Sequence, residues 1–285
     1  MMKTALVTGA SSGIGWDVTR VLIQNGYRVV STVRTTEDAE KLTKNFSTKV
    51  SPLILDLSNF DLIDQIPALL KNQFKIEKLD AIINNAGVAL AAPFLDQKFS
   101  EIEMIFRLNV LAVMKLTQVI IPLLVGSDNP KIINISSISG VSGAPFLAAY
   151  ASSKHAIEGF SQSLRKEMML LGIQVVVIGP GSIKTPIWNK GFKIVRDKYH
   201  KSVFADAFQK FITFAESEER NALDANVISN LVLQVLKTRN PSFRYAPVPR
   251  KWLNWYLPKF IPQSVYNRLA AKALGLNLTK PHNKI

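Results

Sequence analysis

Tyr150 and Lys154 stand four residues apart in a segment of helical pattern, so their side chains share one face. A phenol near an ammonium has its anionic form favoured and its pKa lowered, which suits a general acid or base near neutral pH. Ser136-Ser137 directly follows an apolar run, and a serine hydroxyl beside such a tyrosine can hold a substrate oxygen. Tyrosine and lysine are also ordinary helix-surface residues, and the pair gains meaning from its company. Thr8-Gly9-Ala10-Ser11-Ser12-Gly13-Ile14-Gly15 lies between an apolar run and a helical pattern. Glycines there let the chain turn sharply and approach a ligand closely. The helix start that follows offers free amides and a positive dipole end to a pyrophosphate. The spacing G-x-x-x-G-x-G departs from the commoner G-x-G-x-x-G, and a tight turn would also use glycines.

The choice of dinucleotide is read about 20 residues further on, where a carboxylate would bind the ribose 2′-hydroxyl of NAD. Here the run ends Thr32-Val33-Arg34, with an arginine and no carboxylate. An arginine pairs with a 2′-phosphate through charge-assisted bonds, so NADP(H) is expected over NAD(H). The other reading of Arg34 is a surface arginine. Asp56 follows the third apolar run and suits either an adenine amine or the cap of the helix that begins near Phe60.

These groups need a scaffold, and the hydrophobic pattern supplies one. Strand-like runs fall at Thr4–Thr8, Arg28–Val33, Val50–Leu55, Ala81–Asn84, Lys131–Ile135 and Gln174–Ile178. Several are continuously apolar, as in strands covered on both faces. Helical patterns fill the gaps at Ile14–Asn25, Glu37–Phe46, Leu62–Phe74, Glu101–Leu124 and Ala149–Leu171. The alternation predicts an α/β fold of Rossmann type, a doubly wound parallel β-sheet with helices on both faces. Past Gly179 it breaks. Asp224–Lys237 reads as a helix with Asp224 at its N-cap, Ser242–Ala246 as a last strand, and Gln263–Leu274 as a helix stopped by Gly275.

At 285 residues and 47% hydrophobic content the chain can bury a large core. It has no cysteine, and His155, His200 and His282 are dispersed, so neither disulfides nor a metal site is expected. No basic segment and long apolar stretch precede Ala5-Leu6-Val7, so no signal peptide is expected. The most apolar stretch, Val110–Val125, is broken by Lys115, Gln118 and Pro122 and reads as a buried helix. The net charge of +14 is uneven: from Ala225 onward there are ten Lys or Arg and no Asp or Glu, which leaves +4 for the first 224 residues. Such a tail suits an anionic partner such as a membrane surface, or a solvated basic face.

The sequence resembles the short-chain dehydrogenase/reductase family over roughly residues 3–246. The match runs through T-G-A-S-S-G-I-G at residues 8–15, Asn84-Asn85-Ala86-Gly87, Asn109 in R-L-N-V-L, Ser137, Tyr150, Lys154, and Pro180-Gly181 followed by Thr185. The resemblance implies hydride transfer between a nicotinamide and an alcohol or carbonyl carbon. It implies Tyr150 as proton donor or acceptor, and Lys154 tuning the tyrosine and holding the nicotinamide ribose. Ser137 polarises the carbonyl and Asn109 anchors a water of the proton relay. It places the cofactor on Gly9, Ser11, Ser12, Gly13, Ile14, Gly15, Arg34, Asp56, Leu57, Asn85, Ala86, Gly87, Tyr150, Lys154, Pro180, Gly181, Ile183 and Thr185. Gly179 departs from the acidic residue common before this Pro-Gly.

Substrate is expected on the loops after strands four to six, at Leu90, Phe94, Ile138, Phe146, Trp188 and Phe192, with Pro145 and Ile187 nearby. That apolar, aromatic set suits a small lipophilic molecule of steroid, retinoid or fatty-chain type, or else packs a lid on the core. Lys190, Lys193, Arg196 and Lys198 crowd the same segment and meet either an acidic head group or water. A 3-oxoacyl thioester reductase is an alternative, and an NADP(H)-sensing interaction module is a non-enzyme alternative that the intact tetrad argues against. The expected division is a catalytic domain at 1–246, with a lid at about 183–219, and a basic aromatic extension at 247–285. A cytoplasmic homodimer or homotetramer is expected. Peripheral membrane contact through the tail competes with its use as a lid, and no nucleic-acid partner is expected.

Overall fold

A computed structural model describes residues 2–185, 198–251, 255 and 260–276. Seven parallel strands form one sheet in the order β3-β2-β1-β4-β5-β6-β7. They are β1 Thr4–Val7, β2 Arg28–Val33, β3 Val50–Ile54, β4 Ala81–Asn84, β5 Lys131–Ile135, β6 Gln174–Ile178 and β7 Arg244–Tyr245. The order reverses between β1 and β4, and in open α/β sheets ligands bind at such a switch point, beyond the carboxyl ends of the strands. β1, β4 and β5 are buried throughout, because helices cover both faces.

The helices are α1 Gly13–Gln24, α2 Thr36–Phe46, α3 Phe60–Asp64, α4 Ile66–Phe74, α5 Phe99–Phe106, α6 Ala112–Leu124, α7 Ala148–Met168, α8 Ala205–Arg220, α9 Ala225–Lys237 and α10 Gln263–Leu274. One apolar layer places Val18 and Leu22 of α1 and Ile228 and Val232 of α9 on one side of the sheet. The other places Leu116 and Ile120 of α6 and Leu164 of α7 on the opposite side. By length and composition alone Phe99–Leu124 would cross a membrane, but its buried stripe packs on the sheet as a core helix does.

Three predicted helices are more broken than their periodicity. The pattern at Leu62–Phe74 divides into α3 and α4, with Pro67 in the first turn of α4, where its missing N–H costs least. Glu101–Leu124 is interrupted by a π-helical turn, Arg107–Leu111, which carries Asn109. The helix at Ala149–Leu171 narrows to a 3-10 turn at Met169–Leu171 before Gly172, whose φ is +66°. Asp224 does occupy the N-cap of α9 but makes no side-chain cap bond, and its carboxylate pairs with Lys184 at 3.0 Å instead. Gln263–Leu274 ends as expected at a left-handed Gly275.

Candidate active site

The glycine loop leaves β1 and enters α1 under tight steric limits. Gly9 has φ +67°, and a Cβ there would stand 2.9 Å from the Ala86 backbone. A Cβ on Gly15 would collide with the Gly9 carbonyl and the Asn85 amide. The Asn85–Gly87 segment closes on this loop through hydrogen bonds. Thr8 Oγ1 accepts from the amides of Asn85 and Ala86, each at 2.9 Å, and Asn85 Nδ2 donates to the Thr8 carbonyl at 2.8 Å. The first turn of α1 has no acidic residue, and Ser12 at the N-cap makes no side-chain cap bond. Its amides and dipole are therefore turned to the space above the loop without an internal anion, which fits a pyrophosphate.

Arg34 and Asp56, the residues expected at the adenosine end, are both exposed. Asp56 accepts from the Ser58 amide at 2.9 Å, and that bond, with a further Ser58 contact and the Arg34 and Arg107 charges, holds its carboxyl below the usual range. Asn59, not Asp56, caps α3 by accepting from Asp61 N at 3.1 Å, which answers the second reading of Asp56. Leu57 turns its side chain into the core.

Ser137, Tyr150 and Lys154 meet on the wall of one cavity of about 540 Å³. The strand end of β5 brings Ser137, and the first two turns of α7 bring the other two. Ser137 Oγ accepts from Ser139 N at 3.0 Å and hydrogen-bonds the Tyr150 phenol. Lys154 Nζ donates to the Ile135 carbonyl at 3.0 Å and lies 5.9 Å from the centre of the Tyr150 ring. Burial pushes the phenol pKa up, and the Ser137 bond opposes it. This corrects the expectation of a lowered tyrosine pKa: removal from water outweighs the Ser137 hydrogen bond. Burial also lowers Lys154 to about 8, with the Glu158 charge opposing.

Asn109 stands behind this group. Its Oδ1 accepts from Val88 N at 2.8 Å, and its Nδ2 donates to Val88 O at 2.9 Å and to Ser153 Oγ at 3.1 Å. The amide is 1% exposed and locks the chain after Gly87 to α7. Single π turns recur at functional sites because they re-aim one residue of a regular helix. Ile14, Asn85, Gly87, Pro180, Gly181, Ile183 and Thr185 line the same cavity. Ser136 Oγ, also on that wall, is buried without a hydrogen-bond partner.

The substrate side differs from expectation. Ile138 lines the cavity, whereas Leu90, Phe94 and Phe146 do not. Phe94 is 64% exposed. Phe146 has a left-handed φ of +65°, and its ring packs edge-on against Phe208 and Phe211 at 5.2 and 5.6 Å. Aromatic packing there takes the ring that the loop was expected to give to a ligand. Trp188 and Phe192 lie outside the described residues, as do Ile187, Lys190, Lys193 and Arg196. Lys198 pairs with Glu101. The missed wall comes from elsewhere: Phe211, Phe214, Ala215 and Glu218 of α8, Val248 and Pro249 after β7, and Tyr266 of α10. Their spacing on α8 looks the same as a core stripe, so nothing in the sequence set them apart.

A family profile described as short chain dehydrogenase matches residues 3–193. The chain is 30% identical over 277 residues to the NADPH-dependent 3-dehydrocapnine reductase of Ornithobacterium rhinotracheale, covering 96% of this chain and 98% of that protein. It is 30% identical over 244 residues to the 3-ketodihydrosphingosine reductase of Bacteroides thetaiotaomicron, covering 84% of this chain and 85% of that one. A serine dehydrogenase solved with NADP⁺ superposes with a TM-score of 0.71 at 26% identity, covering 86% of this chain and 93% of the other. The chain belongs to the short-chain dehydrogenase/reductase family and is an NAD(P)-dependent oxidoreductase.

Proposed function

We propose that this protein is an NADP(H)-dependent oxidoreductase that interconverts a lipophilic alcohol and its ketone or aldehyde. The observation that carries the reading is one cavity with Ser137, Tyr150 and Lys154 on one wall and largely apolar side chains, Phe211, Phe214, Val248 and Tyr266 among them, on the others. Polar groups facing apolar side chains across a cavity orient a greasy molecule by its reactive oxygen. The preference for NADP(H) is supported by Arg34 at the end of β2, by an NADPH-dependent relative and by a related structure solved with NADP⁺.

When bound, the nicotinamide supplies or accepts the hydride. Ser137 Oγ and the Tyr150 hydroxyl hydrogen-bond the substrate oxygen, polarising it for reduction. Tyr150 delivers the proton to that oxygen, or takes it in the oxidative direction. Lys154 stabilises the negative charge that Tyr150 then carries, and its ammonium would hold the nicotinamide ribose. Asn109 fixes the Val88 turn beside Lys154 and anchors the relay that returns the proton. The apolar side chains of the wall, Phe211, Phe214 and Val248 among them, limit the water beside the transfer.

The same reading takes the assembly to be a homodimer or homotetramer in the cytoplasm. Met104 and Leu111, exposed apolar residues of α5 and the π turn, support an interface there. The test of the function is an NADPH-oxidation screen over aliphatic aldehydes and ketones, steroid ketones, retinal and 3-oxoacyl thioesters. Turnover of the lipophilic carbonyls supports the reading. Turnover confined to carrier-bound 3-oxoacyl thioesters replaces it with the thioester reductase.

A further inference from the structure

Arg244 stands on β7, yet its guanidinium reaches the strand end that carries the catalytic serine. Nη2 donates to the Ser137 carbonyl at 3.2 Å. Nε lies 3.1 and 3.0 Å from the two carboxylate oxygens of Glu158. The guanidinium carbon sits 4.7 Å from the centre of the Trp255 ring. Glu158 is 4% exposed, so this is a buried pair. Such pairs add little net stability, since desolvating both charges offsets their attraction, and stability alone is a poor account of this one.

The backbone around the pair is cut to admit it. A Cβ on Gly179 would collide with Arg244 Nη2 and stand 3.1 Å from the Ser137 carbonyl. A Cβ on Gly140 would stand 2.9 Å from Glu158 Cγ. Gly179 is the residue that departs from the family pattern before Pro180, and the space a side chain there would need is filled by the arginine of the next strand. Glu158 follows Lys154 by one turn of α7 and Tyr150 by two, so all three share a face. The pair therefore ties the strand end of Ser137 to the helix of Tyr150. Arg244 does not line the cavity, so it acts through Ser137.

We propose that Arg244 and Glu158 are positioning residues that hold Ser137 within hydrogen-bonding distance of Tyr150, and that Trp255 makes this alignment depend on the C-terminal extension. The inference rests on the reading of Ser137 and Tyr150 as the reacting pair. Among the described residues, Ser137 and Lys154 are groups that face Tyr150, and Lys154 in turn faces Glu158.

The test compares wild type with Arg244→Gln, Arg244→Lys, Glu158→Gln and the Arg244→Gln/Glu158→Gln double variant in the full chain. Two readouts are taken: hydrogen exchange with NADPH bound, and rates with dodecanal and dodecanol. Arg244→Gln raises exchange at residues 138–141 and 260–266 together, because one joint holds both. Its kcat for dodecanal falls roughly tenfold to a hundredfold, the loss expected of a reacting group displaced by about an ångström, while KM for NADPH stays near wild type. The pH at which dodecanol oxidation reaches half its maximum moves up, because Tyr150 loses a bond that lowers its pKa. Arg244→Lys does not restore the rate, since an ammonium cannot serve the carboxylate and the carbonyl as the planar fork does. The double variant is no worse than the poorer single one, because both remove the same pair. Exchange raised only along β7, with wild-type kcat and pH profile, overturns the proposal and leaves Arg244 a local stabiliser. If Arg244→Gln does not fold, Glu158→Gln carries the exchange test, with the same two outcomes. Ser137→Ala is assayed beside them: full activity there refutes the reacting pair itself, while the exchange result still decides the clamp.

Discussion

Lys154 Nζ is anchored to the carbonyl of Ile135 at 3.0 Å and stands 5.9 Å from the centre of the Tyr150 ring. The strand that delivers Ser137 thus also fixes the ammonium beside the tyrosine. Burial has drawn Lys154 down to about 8 and pushed the phenol up.

This pairing gives carbonyl reduction a definite pH dependence. Reduction needs Tyr150 protonated and Lys154 charged. A raised phenol pKa keeps the donor protonated through neutral pH, and the ammonium is lost as pH rises through about 8. The reductive rate is therefore flat in the neutral range and falls above about 8. Initial rates at saturating NADPH across the alkaline range check this. A rate that still climbs above about 8 contradicts the assignment.

Arg34 is expected to set cofactor preference. Charge-assisted bonds to a 2′-phosphate contribute roughly 1.5–3 kcal/mol, or about tenfold to a hundredfold in affinity. Titration of NADPH and NADH into wild type and Arg34→Ala measures it. The gap between the two cofactors shrinks in the variant, mainly through weaker NADPH binding. Equal affinities in the wild type contradict the reading of the β2 end.

The seven strands and the sites at their carboxyl ends are legible because continuous apolar runs and ordered motifs are local signals. Ser137, Tyr150 and Lys154 lie where their strand end and helix place them. What is not legible depends on long-range packing. The π turn at Asn109 arises inside an apolar pattern that reads as unbroken helix. Phe146 looks like a ligand contact in sequence but is claimed by Phe208 and Phe211 more than 60 residues away. The true cavity wall on α8 and α10 forms only when the end of the chain folds back over the site.

Lys131 predicts a stability effect far from the chemistry. It is fully buried at the start of β5, and its Nζ donates to Asn129 Oδ1 at 2.6 Å and Gln174 Oε1 at 2.9 Å, both neutral groups. Burial lowers its pKa from 10.5 to about 8. Between those values the unfolded chain binds more protons than the folded one, so this lysine makes stability rise with pH across that window. Denaturant melts of wild type and Lys131→Met test it. The wild type gains more stability than the variant as pH rises from 8 toward 10. Parallel pH dependences contradict it.

The extension faces two ways. Tyr266 lines the cavity, while Phe260, Val265 and Leu269 are exposed beside Arg268 and Lys272. An apolar strip flanked by cations suits an anionic lipid surface, where each basic residue contributes about 1 kcal/mol. The intact protein is expected to co-sediment with phosphatidylserine vesicles at low salt, weakly with phosphatidylcholine, and less as salt screens the attraction. Arg268→Glu with Lys272→Glu weakens it further. A protein that stays in the supernatant with phosphatidylserine at low salt leaves the extension as part of the enzyme's own wall.

Tyr150→Phe tests the central claim most directly, because it removes one oxygen from the buried site and changes little else. Turnover with the best carbonyl from the screen is measured beside NADPH binding by fluorescence titration. The account predicts a fall in kcat of at least about 10²–10⁴, the usual contribution of a general acid, with NADPH affinity near wild type. Near-wild-type turnover by the phenylalanine variant contradicts it.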